Sequence, residues 1–239
     1  MTETTNDAGL VYSGTELDAM SVAVNYHRWI ISKFAPYLGS HVAEVGAGIG
    51  SVSKLLLEQP IERLSSFEPS QNMFPRLAAS LRDEPRAEAI NQYFDVRFAD
   101  RGFDSIIYNN VMEHIEDDRA EISTALATLK PGGHLLIFVP ALMWLYSDFD
   151  EHLGHFRRYT TRGLSSLASE LGFEVVSARY FDIAGILPWF VVCKLLHKRP
   201  EGGSLSLYDK LVVPPMRVLE GIVSPPIGKN VMLIARKPA

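Results

Sequence analysis

The sequence has little cysteine and no long uninterrupted apolar run. One thiol, Cys193, is present among 239 residues, so neither an internal disulfide bond nor a thiolate metal site is expected. The longest charge-free apolar stretch of the C-terminal third, residues 183–193, contains Pro188. It is also shorter than the ~18 residues that a membrane-spanning helix needs. With no secretory signal visible either, we expect a cytoplasmic protein.

Positive charge is also scarce. The chain has 23 Lys and Arg residues against 28 Asp and Glu residues, which gives a net charge of −5. Proteins that bind phosphate backbones usually carry clustered Lys and Arg, so we expect no nucleic-acid partner. The length and the 47% hydrophobic content suit one globular domain. We predict a flexible polar segment over residues 1–17 and a single domain over 18–239.

A glycine-rich turn is the most informative motif. Residues 42–50 read VAEVGAGIG, a short apolar run that ends in three glycines at alternate positions. Glycines at such a turn let the backbone approach a ligand closely, and the alternative is a tight strand-to-helix turn without a ligand. A dinucleotide-binding loop needs its third glycine one residue later, where this chain has Ser51.

Apolar strands alternate with helical patterns along the chain. This alternation predicts βαβ units and a parallel sheet that is covered on both faces. Strands are predicted over 41–45, 64–67, 87–90, 103–109, 134–139, 173–180 and 231–235. Helices are predicted over 18–37, 52–57, 70–81 and 161–171, with another ending near residue 129.

Two carboxylates lie where a ligand of this sheet would bind. Glu68 follows Gly50 by eighteen residues at the end of the second predicted strand. It can accept both hydroxyls of a ribose, or it is a solvated loop carboxylate. Glu44 precedes the first glycine by two residues and can accept hydrogen bonds from an ammonium group.

Three motifs resemble those of the class I S-adenosylmethionine-dependent methyltransferases. They are the glycine loop with Glu44, the segment FDSIIYNNVMEHI at 103–115, and the segment LKPGGHLL at 129–136. The resemblance implies an α/β, Rossmann-like, doubly wound and mostly parallel seven-stranded sheet with an antiparallel last strand. It also implies S-adenosyl-L-methionine as the cofactor.

The resemblance also implies a set of cofactor-binding residues. Tyr26 is included because an aromatic ring can pack against a sulfonium, although its helical spacing also fits the core. The Gly-Asp pair often found after the third strand of this family is absent here. The predicted cofactor-binding residues are Tyr26, Glu44, Gly46, Ala47, Gly48, Glu68, Pro69, Met73, Tyr93, Phe94, Asn109 and Asn110.

A methyl acceptor that carries a proton needs a general base. We predict His114, His155 and Tyr159 as catalytic residues, and His114 can alternatively brace the loop after the fourth strand. Glu113 and His114 resemble part of a Glu-x-x-Glu-His metal cluster in ubiquinone-biosynthesis-type O-methyltransferases. Because Asn110 replaces its first glutamate, no metal is expected.

Residues 154–159, GHFRRY, resemble a Gly-His-x-Arg-Arg-Tyr element in a subgroup of bacterial methyltransferases. Arg157 and Arg158 would bind a carboxylate or phosphate of the acceptor. The equal alternative is that these arginines pair with acids of the same segment, which are Asp148, Asp150 and Glu151. His152 and Trp144 complete the predicted substrate-binding set.

We therefore predict methyl transfer to an O or N atom of a small metabolite with anionic or lipid-like character. The alternatives are a nucleotide-cofactor oxidoreductase and a non-catalytic cofactor-binding protein of the same fold. Residues 182–228 are apolar and contain several prolines, and we predict them to be an inserted region. They would line an acceptor pocket, form a homodimer face, rest on a membrane surface, or simply cap the sheet edge.

Overall fold

The computed structural model describes residues 23–200 and 202–239. The predicted flexible segment 1–17 and the predicted helix start at residue 18 lie outside the described residues. The strands are β1 His41–Val45, β2 Arg63–Phe67, β3 Ala87–Ile90, β4 Phe103–Asn109, β5 Leu129–Pro140, β6 Glu174–Phe181 and β7 Asn230–Arg236. The α-helices are α1 Val24–Phe34, α2 Ser51–Leu57, α3 Phe74–Leu81, α4 Asp118–Thr128, α5 Asp148–His152, α6 Thr161–Glu170, α7 Ile186–Trp189, α8 Gly202–Leu211 and α9 Val213–Ile222.

The seven strands form one sheet in the order β3-β2-β1-β4-β5-β7-β6. The first five strands pair in parallel, and β7 runs antiparallel to both β5 and β6. This confirms the predicted Rossmann-like sheet with its antiparallel last strand. β1 lies between β2 and β4, so the chain turns to opposite sides after leaving it, and ligands of open α/β sheets bind at such a point.

Two apolar cores cover the two faces of the sheet. On one face Trp29 of α1 and Leu56 of α2 are fully buried, together with Val213 of α9. On the other face Ile122 of α4 and Leu164 of α6 are fully buried. Because both faces are covered, the central strands read as continuous apolar runs, which is why their positions could be predicted.

Besides shifts of one to three residues at other ends, two element boundaries within the described residues differ from the predicted ones by four or five residues. The helix predicted from residue 70 begins at Phe74, because Ser70 donates its backbone N–H to the Glu68 side chain and stays in the loop. The strand predicted from residue 134 begins at Leu129, which pairs with Phe103. The next matched pair is Ser105 with His134, so residues 130–133 form an irregularity within β5.

The region 182–228 contains α7, a π-helix over Phe190–Leu195, α8 and α9. Among the described residues, no helix is both long enough and apolar enough to cross a membrane.

Candidate functional site

A cavity of about 550 Å³ opens at the carboxyl edge of the sheet, where β1, β4 and β5 end. Its walls come from the glycine loop, the residues after β4, the segment around α5, the start of β7 and the region 182–228. Ten of the residues predicted from sequence line it. They are Tyr26, Glu44, Gly46, Ala47, Gly48, Asn109, Asn110, His114, His155 and Arg158.

The glycine loop is fixed against both neighbouring strands. The backbone N–H groups of Gly46 and Ala47 both donate to the carbonyl oxygen of Phe67 at 2.9 Å. Gly46 has φ +70°, and a Cβ there would lie 2.5 Å from a methyl group of Val111. A side chain at this position would therefore strain the backbone and collide with the segment after β4.

Glu68 holds the second half of this loop. Its Oε2 accepts the backbone N–H of Gly48 at 2.7 Å, and its Oε1 accepts that of Ser70 at 2.9 Å. A carboxylate has about four acceptor positions, so two remain for other donors. Glu68 is buried behind the loop and is not among the described residues that line the cavity. Its predicted contact with a ribose stays a prediction.

Glu44 reaches the cavity from β1. Its Oε2 accepts hydrogen bonds from the hydroxyl groups of Ser53 at 2.5 Å and Ser66 at 2.9 Å. Burial raises the pKa of this carboxyl to about 7, although both hydrogen bonds lower it. An approaching cation would therefore favour the fully ionised form of Glu44.

The residues after β4 present an acceptor that lacks a partner. Asn109 has a buried side-chain Oδ1 that receives no hydrogen bond. Asn110 follows it at φ +55°, and its backbone N–H donates to the Phe138 carbonyl oxygen at 2.8 Å. Buried polar atoms normally find a donor, so the Oδ1 of Asn109 fits the ammonium group of an amino-acid ligand. With the glycine loop and Glu44, this wall suits the predicted cofactor.

A buried ion-pair network forms the opposite wall. Asp150 is fully buried, and its carboxylate accepts from Arg158 Nε at 2.9 Å and Nη2 at 3.0 Å. The same carboxylate accepts both the backbone N–H and the hydroxyl of Ser147, each at 2.9 Å. His155 Nδ1 lies 3.0 Å from its Oδ1. Burial raises the pKa of Asp150, but the bonds from His155 and Arg158 outweigh it and hold the pKa at about 2.

Three titratable side chains meet at this wall. The His114 ring lies edge-on to the His155 ring, with centroids 4.6 Å apart, and burial lowers the pKa of His114 to about 4. The Oε2 of Glu113 has no hydrogen-bond partner, and burial raises its pKa to about 8. At neutral pH, Glu113 is therefore mainly protonated and His114 mainly neutral.

The same cluster has a composition that metals can use. Ligand atoms of Glu113, His114 and His155 all lie within 4.8 Å of one another. Two imidazoles and a carboxylate are a common set for a divalent ion. A chelation experiment therefore has to test the sequence-based expectation that the protein binds no metal.

The raised pKa of Glu113 makes stability depend on pH. Folded Glu113 keeps its proton up to a pH of about 8, whereas an unfolded glutamate loses it near pH 4.3. The folded state thus binds more protons in this window, and stability falls as pH rises through it. Below about pH 6.5 the buried His27 and the half-buried His114, with pKa values lowered to about 4, act in the opposite direction.

Between roughly pH 6.5 and pH 8, the ionisation of Glu113 should lower the free energy of unfolding by about 1.5 kcal/mol. We expect the Glu113→Gln protein to lack this part of the pH dependence. Urea unfolding of both proteins at these two pH values measures the difference. A smaller pH dependence should remain in the variant, because Glu44 also has a raised pKa. Identical pH dependence in the two proteins would contradict the assignment.

Several predicted residues lie away from the cavity lining. Tyr93 is 64% exposed, Phe94 packs in the core with its ring centroid 5.0 Å from that of Phe67, and Trp144 is 51% exposed. Pro69, Met73, His152 and Tyr159 are also not among the described lining residues. For all of these residues a ligand contact stays a prediction.

The two predicted arginines have different partners. Arg158 pairs with Asp150, as the alternative interpretation of the sequence expected, and it still lines the cavity. Arg157 pairs instead with Asp118, at 2.8 Å between Nη1 and Oδ2, which the sequence analysis did not foresee. The hydroxyl of Tyr159 donates to the same Asp118 carboxylate at 2.9 Å. Arg157 and Tyr159 thus tie the GHFRRY segment to the start of α4.

Sequence reasoning missed lining residues that come from distant parts of the chain. Lys229 and Asn230 reach the cavity because β7 is antiparallel to β5, which pairs Asn230 with Pro140 at the carboxyl edge. The predicted antiparallel last strand was the signal that could have found them. Phe149 and Leu153 are further lining residues that were not predicted. Trp189, Arg199 and Leu205 also line the cavity, and they belong to the region 182–228, for which an acceptor pocket was one of the alternatives.

Comparisons with known proteins bear on the family and the fold of this chain. A family model described as a methyltransferase domain matches residues 28–178, which is more than half of the chain. No curated protein matches the chain. Several solved structures share its fold at low sequence identity.

One such structure is phosphoethanolamine N-methyltransferase 2 of Haemonchus contortus in complex with S-adenosyl-L-methionine, with 15% identity and a TM-score of 0.62 over 95% of this chain and 58% of that chain. Another is an S-adenosylmethionine-dependent methyltransferase from Archaeoglobus fulgidus, with 17% identity and a TM-score of 0.60 over 93% and 99% of the two chains. A third is the [4+2]-cyclase SpnF, with 14% identity and a TM-score of 0.60 over 97% and 100%. At these identities the structures establish the fold alone.

Proposed function

Since the chain belongs to the methyltransferase domain family and its cofactor is S-adenosyl-L-methionine, we propose that it methylates an O or N atom of a small acceptor held in this cavity. The observation that carries the proposal is that one cavity joins the glycine loop to the histidine paired with Asp150. The first group of residues suits the cofactor. The second suits an acceptor that must lose a proton.

The cofactor side would be formed by the backbone of Gly46 and Gly48, with Glu44 and Asn109 facing the ammonium group and Glu68 the ribose. When bound, the cofactor supplies a methyl group on a positively charged sulfur, an electrophile that needs no further activation. The residues therefore have to bind, orient and exclude water. Tyr26 closes this side from α1, with its hydroxyl 3.0 Å from Asn230 Oδ1.

His155 is the proposed general base. Its Nδ1 is engaged by Asp150, which fixes the ring and leaves Nε2 to accept the proton of an acceptor hydroxyl or amine. The Asp150 carboxylate stabilises the imidazolium that results, in the way that a buried carboxylate supports a catalytic histidine in other enzymes. His114 is half-buried and mainly neutral beside it, so it adds little positive charge against this proton transfer.

The other walls support an acceptor with an apolar body and an anionic group. Phe149, Leu153 and Trp189 give the cavity apolar surface. Arg199 and Lys229 add two cationic side chains, and Lys229 Nζ lies 3.2 Å from the Asp182 carboxylate. Such a mixture is typical of sites that use apolar contact for affinity and a few charges for orientation.

The fold alone does not fix the reaction, as its similarity to a [4+2]-cyclase illustrates. A non-catalytic protein of the same fold is disfavoured because the chain belongs to a methyltransferase family. A nucleotide-cofactor oxidoreductase is disfavoured by Ser51, since its glycine loop needs a different spacing. Release of S-adenosylhomocysteine is the property that separates methyl transfer from both.

The test uses S-adenosylmethionine with an isotopically labelled methyl group and fractionated small-molecule extracts. We expect the label to enter an acceptor in at least one fraction. We expect His155→Gln to lower that rate by about 10²–10⁴-fold while the affinity for the cofactor is unchanged, because a general base contributes this much. The measurement pairs product counting with calorimetric binding of S-adenosylhomocysteine.

His197→Gln is the matched control, because His197 is an exposed histidine bonded to Asp148 on the surface. The His197→Gln protein should have the same turnover rate as the unsubstituted protein. Full activity of His155→Gln would remove the general base from the account. Loss of activity after chelation, restored by a divalent ion, would instead assign the Glu113, His114 and His155 cluster to a metal.

A further inference from the structure

Two helices of the region 182–228 bury their acidic side chains. Tyr208, Val213 and Met216 pack on the core, whereas several other large apolar side chains of these helices face outward. On α8, Asp209 is buried while Leu207 and Leu211 are exposed. On α9, Glu220 is buried while Ile222 is 79% exposed. This is the reverse of the usual arrangement of a helix that packs on a core in water.

Hydrogen bonds to the buried acids fix this orientation. The Asp209 carboxylate accepts the backbone N–H groups of Asn25 at 3.1 Å and Tyr26 at 2.8 Å, in the first turn of α1. The Glu220 carboxylate accepts those of Asp182 at 3.1 Å and Ile183 at 2.9 Å. Rotating either helix to bury its apolar face would leave these backbone donors without partners, which is costly. The outward apolar face is therefore built into the fold.

The helices α8 and α9 pack against each other, and both carry exposed apolar side chains. On α9, Val218 and Ile222 are four residues apart and share one side of the helix with Leu219. Val223 follows directly after the helix. We call the six side chains the cap surface. They are Leu207, Leu211, Val218, Leu219, Ile222 and Val223.

The segment around the cap surface, residues 187–227, exposes many apolar side chains. Of the eighteen large hydrophobic side chains that are exposed in the described part of the chain, eleven lie between residues 187 and 227. Exposed apolar side chains that are scattered singly need no explanation, whereas a cluster of this kind marks an interaction surface. Trp144 is also exposed, and its ring centroid lies 6.1 Å from that of Phe190 in the same segment.

The charges of this segment identify the kind of partner. Residues 183–227 contain five Lys and Arg residues against three acidic residues, Glu201, Asp209 and Glu220. All five cationic side chains are exposed, whereas Asp209 and Glu220 are buried. The chain as a whole has a net charge of −5, so the segment is a basic area on an acidic protein. The cationic residues are Lys194, Lys198, Arg199, Lys210 and Arg217.

We propose that the cap surface docks onto an anionic lipid bilayer. Apolar side chains flanked by Lys and Arg are what an interfacial element needs, since the former enter the acyl boundary and the latter meet anionic headgroups. A second copy of the chain fits less well, because a symmetric pair would bring two identical sets of five cations together.

Docking would also place the cavity beside the bilayer. Arg199, Pro200 and Leu205 line the cavity and precede the cap surface in the chain. An acceptor with a lipid chain could then enter without crossing water. This consequence rests on the proposed function, whereas docking itself does not.

The experiment is co-sedimentation of the purified protein with vesicles. Phosphatidylcholine vesicles are compared with vesicles that also contain phosphatidylglycerol. We expect binding to the anionic vesicles that weakens as salt is added, because exposed charges are screened. We expect the double variant Leu211→Asp with Ile222→Asp to bind at least tenfold more weakly, and Lys210→Gln with Arg217→Gln about tenfold more weakly.

Val96→Asp is the control, because Val96 is an exposed apolar residue outside the segment. It should bind vesicles like the unsubstituted protein, and circular dichroism checks that every variant is folded. Unchanged binding by both double variants, or no binding to anionic vesicles, would overturn the proposal. So would a dimer in sedimentation equilibrium that Ile222→Asp dissociates, since that assigns the surface to a second copy. No methyl acceptor is needed, so the result is independent of the methyl-transfer assay.

Discussion

Replacing Asp150 with alanine is expected to destabilise the folded protein by about 3–5 kcal/mol, the cost of leaving a buried ion without its partner. Arg158 is as deeply buried as Asp150 and would keep its charge. The Ser147 backbone N–H and the His155 ring would lose the same acceptor. The destabilisation therefore exceeds the loss of any single hydrogen bond.

Urea unfolding of the Asp150→Ala protein at pH 7 measures this effect. Asp148→Ala is the control in the same helix, since Asp148 is 73% exposed and its pair with His197 should contribute less than about 1 kcal/mol. Adding Arg158→Met to Asp150→Ala should recover much of the loss, because the unpaired charge is removed. If Asp150→Ala and Asp148→Ala were equally stable, the network would not hold this wall together.

Glu68→Gln is expected to weaken binding of S-adenosylhomocysteine by about 10–100-fold, which corresponds to the loss of one or two charge-assisted hydrogen bonds. Glutamine has the size of glutamate but a single acceptor oxygen. It cannot accept from Gly48, Ser70 and two ribose hydroxyls together. The variant should therefore loosen the glycine loop and lose contacts to the sugar at once.

Isothermal titration calorimetry of both proteins gives the ratio of dissociation constants. Glu62→Gln serves as the control, because Glu62 is an exposed glutamate just before β2. It should bind like the unsubstituted protein. Undiminished affinity of Glu68→Gln, with Glu62→Gln also unchanged, would show that Glu68 serves the fold alone.

The cofactor side of the cavity could be predicted because its residues are set by local sequence. A strand that is buried on both faces reads as an apolar run, and the turn after it is marked by its glycines. Glu44, Gly46 and Asn109 follow from their positions at strand ends. The carboxyl ends of neighbouring parallel strands then bring them together without further information.

The acceptor side could not be predicted in the same way. Its geometry depends on which side chain of a short irregular segment turns inward. The segment after β5 is rich in aromatic and charged residues throughout, yet Arg158 is buried and Trp144 is exposed. The role of Asp150 as the common acceptor depends on packing between α5 and the GHFRRY turn, which residue spacing does not encode.

The cap surface was the hardest feature to foresee, because periodicity assigns the apolar side of a helix to the core. For the six residues of the cap surface that inference fails. The backbone donors of α1 and of the residues after β6 bind Asp209 and Glu220, and these contacts between distant segments turn the helices the other way.

The central claim is that S-adenosylmethionine binds at the carboxyl edge of the sheet, between the glycine loop and the residues after β4. A crystal structure of the protein soaked with S-adenosylhomocysteine tests it most directly. The account predicts electron density in the cavity, with the amino-acid end near Glu44 and Asn109 and the sugar near Glu68. Density at another site, or an empty cavity in crystals soaked far above the dissociation constant, would contradict it.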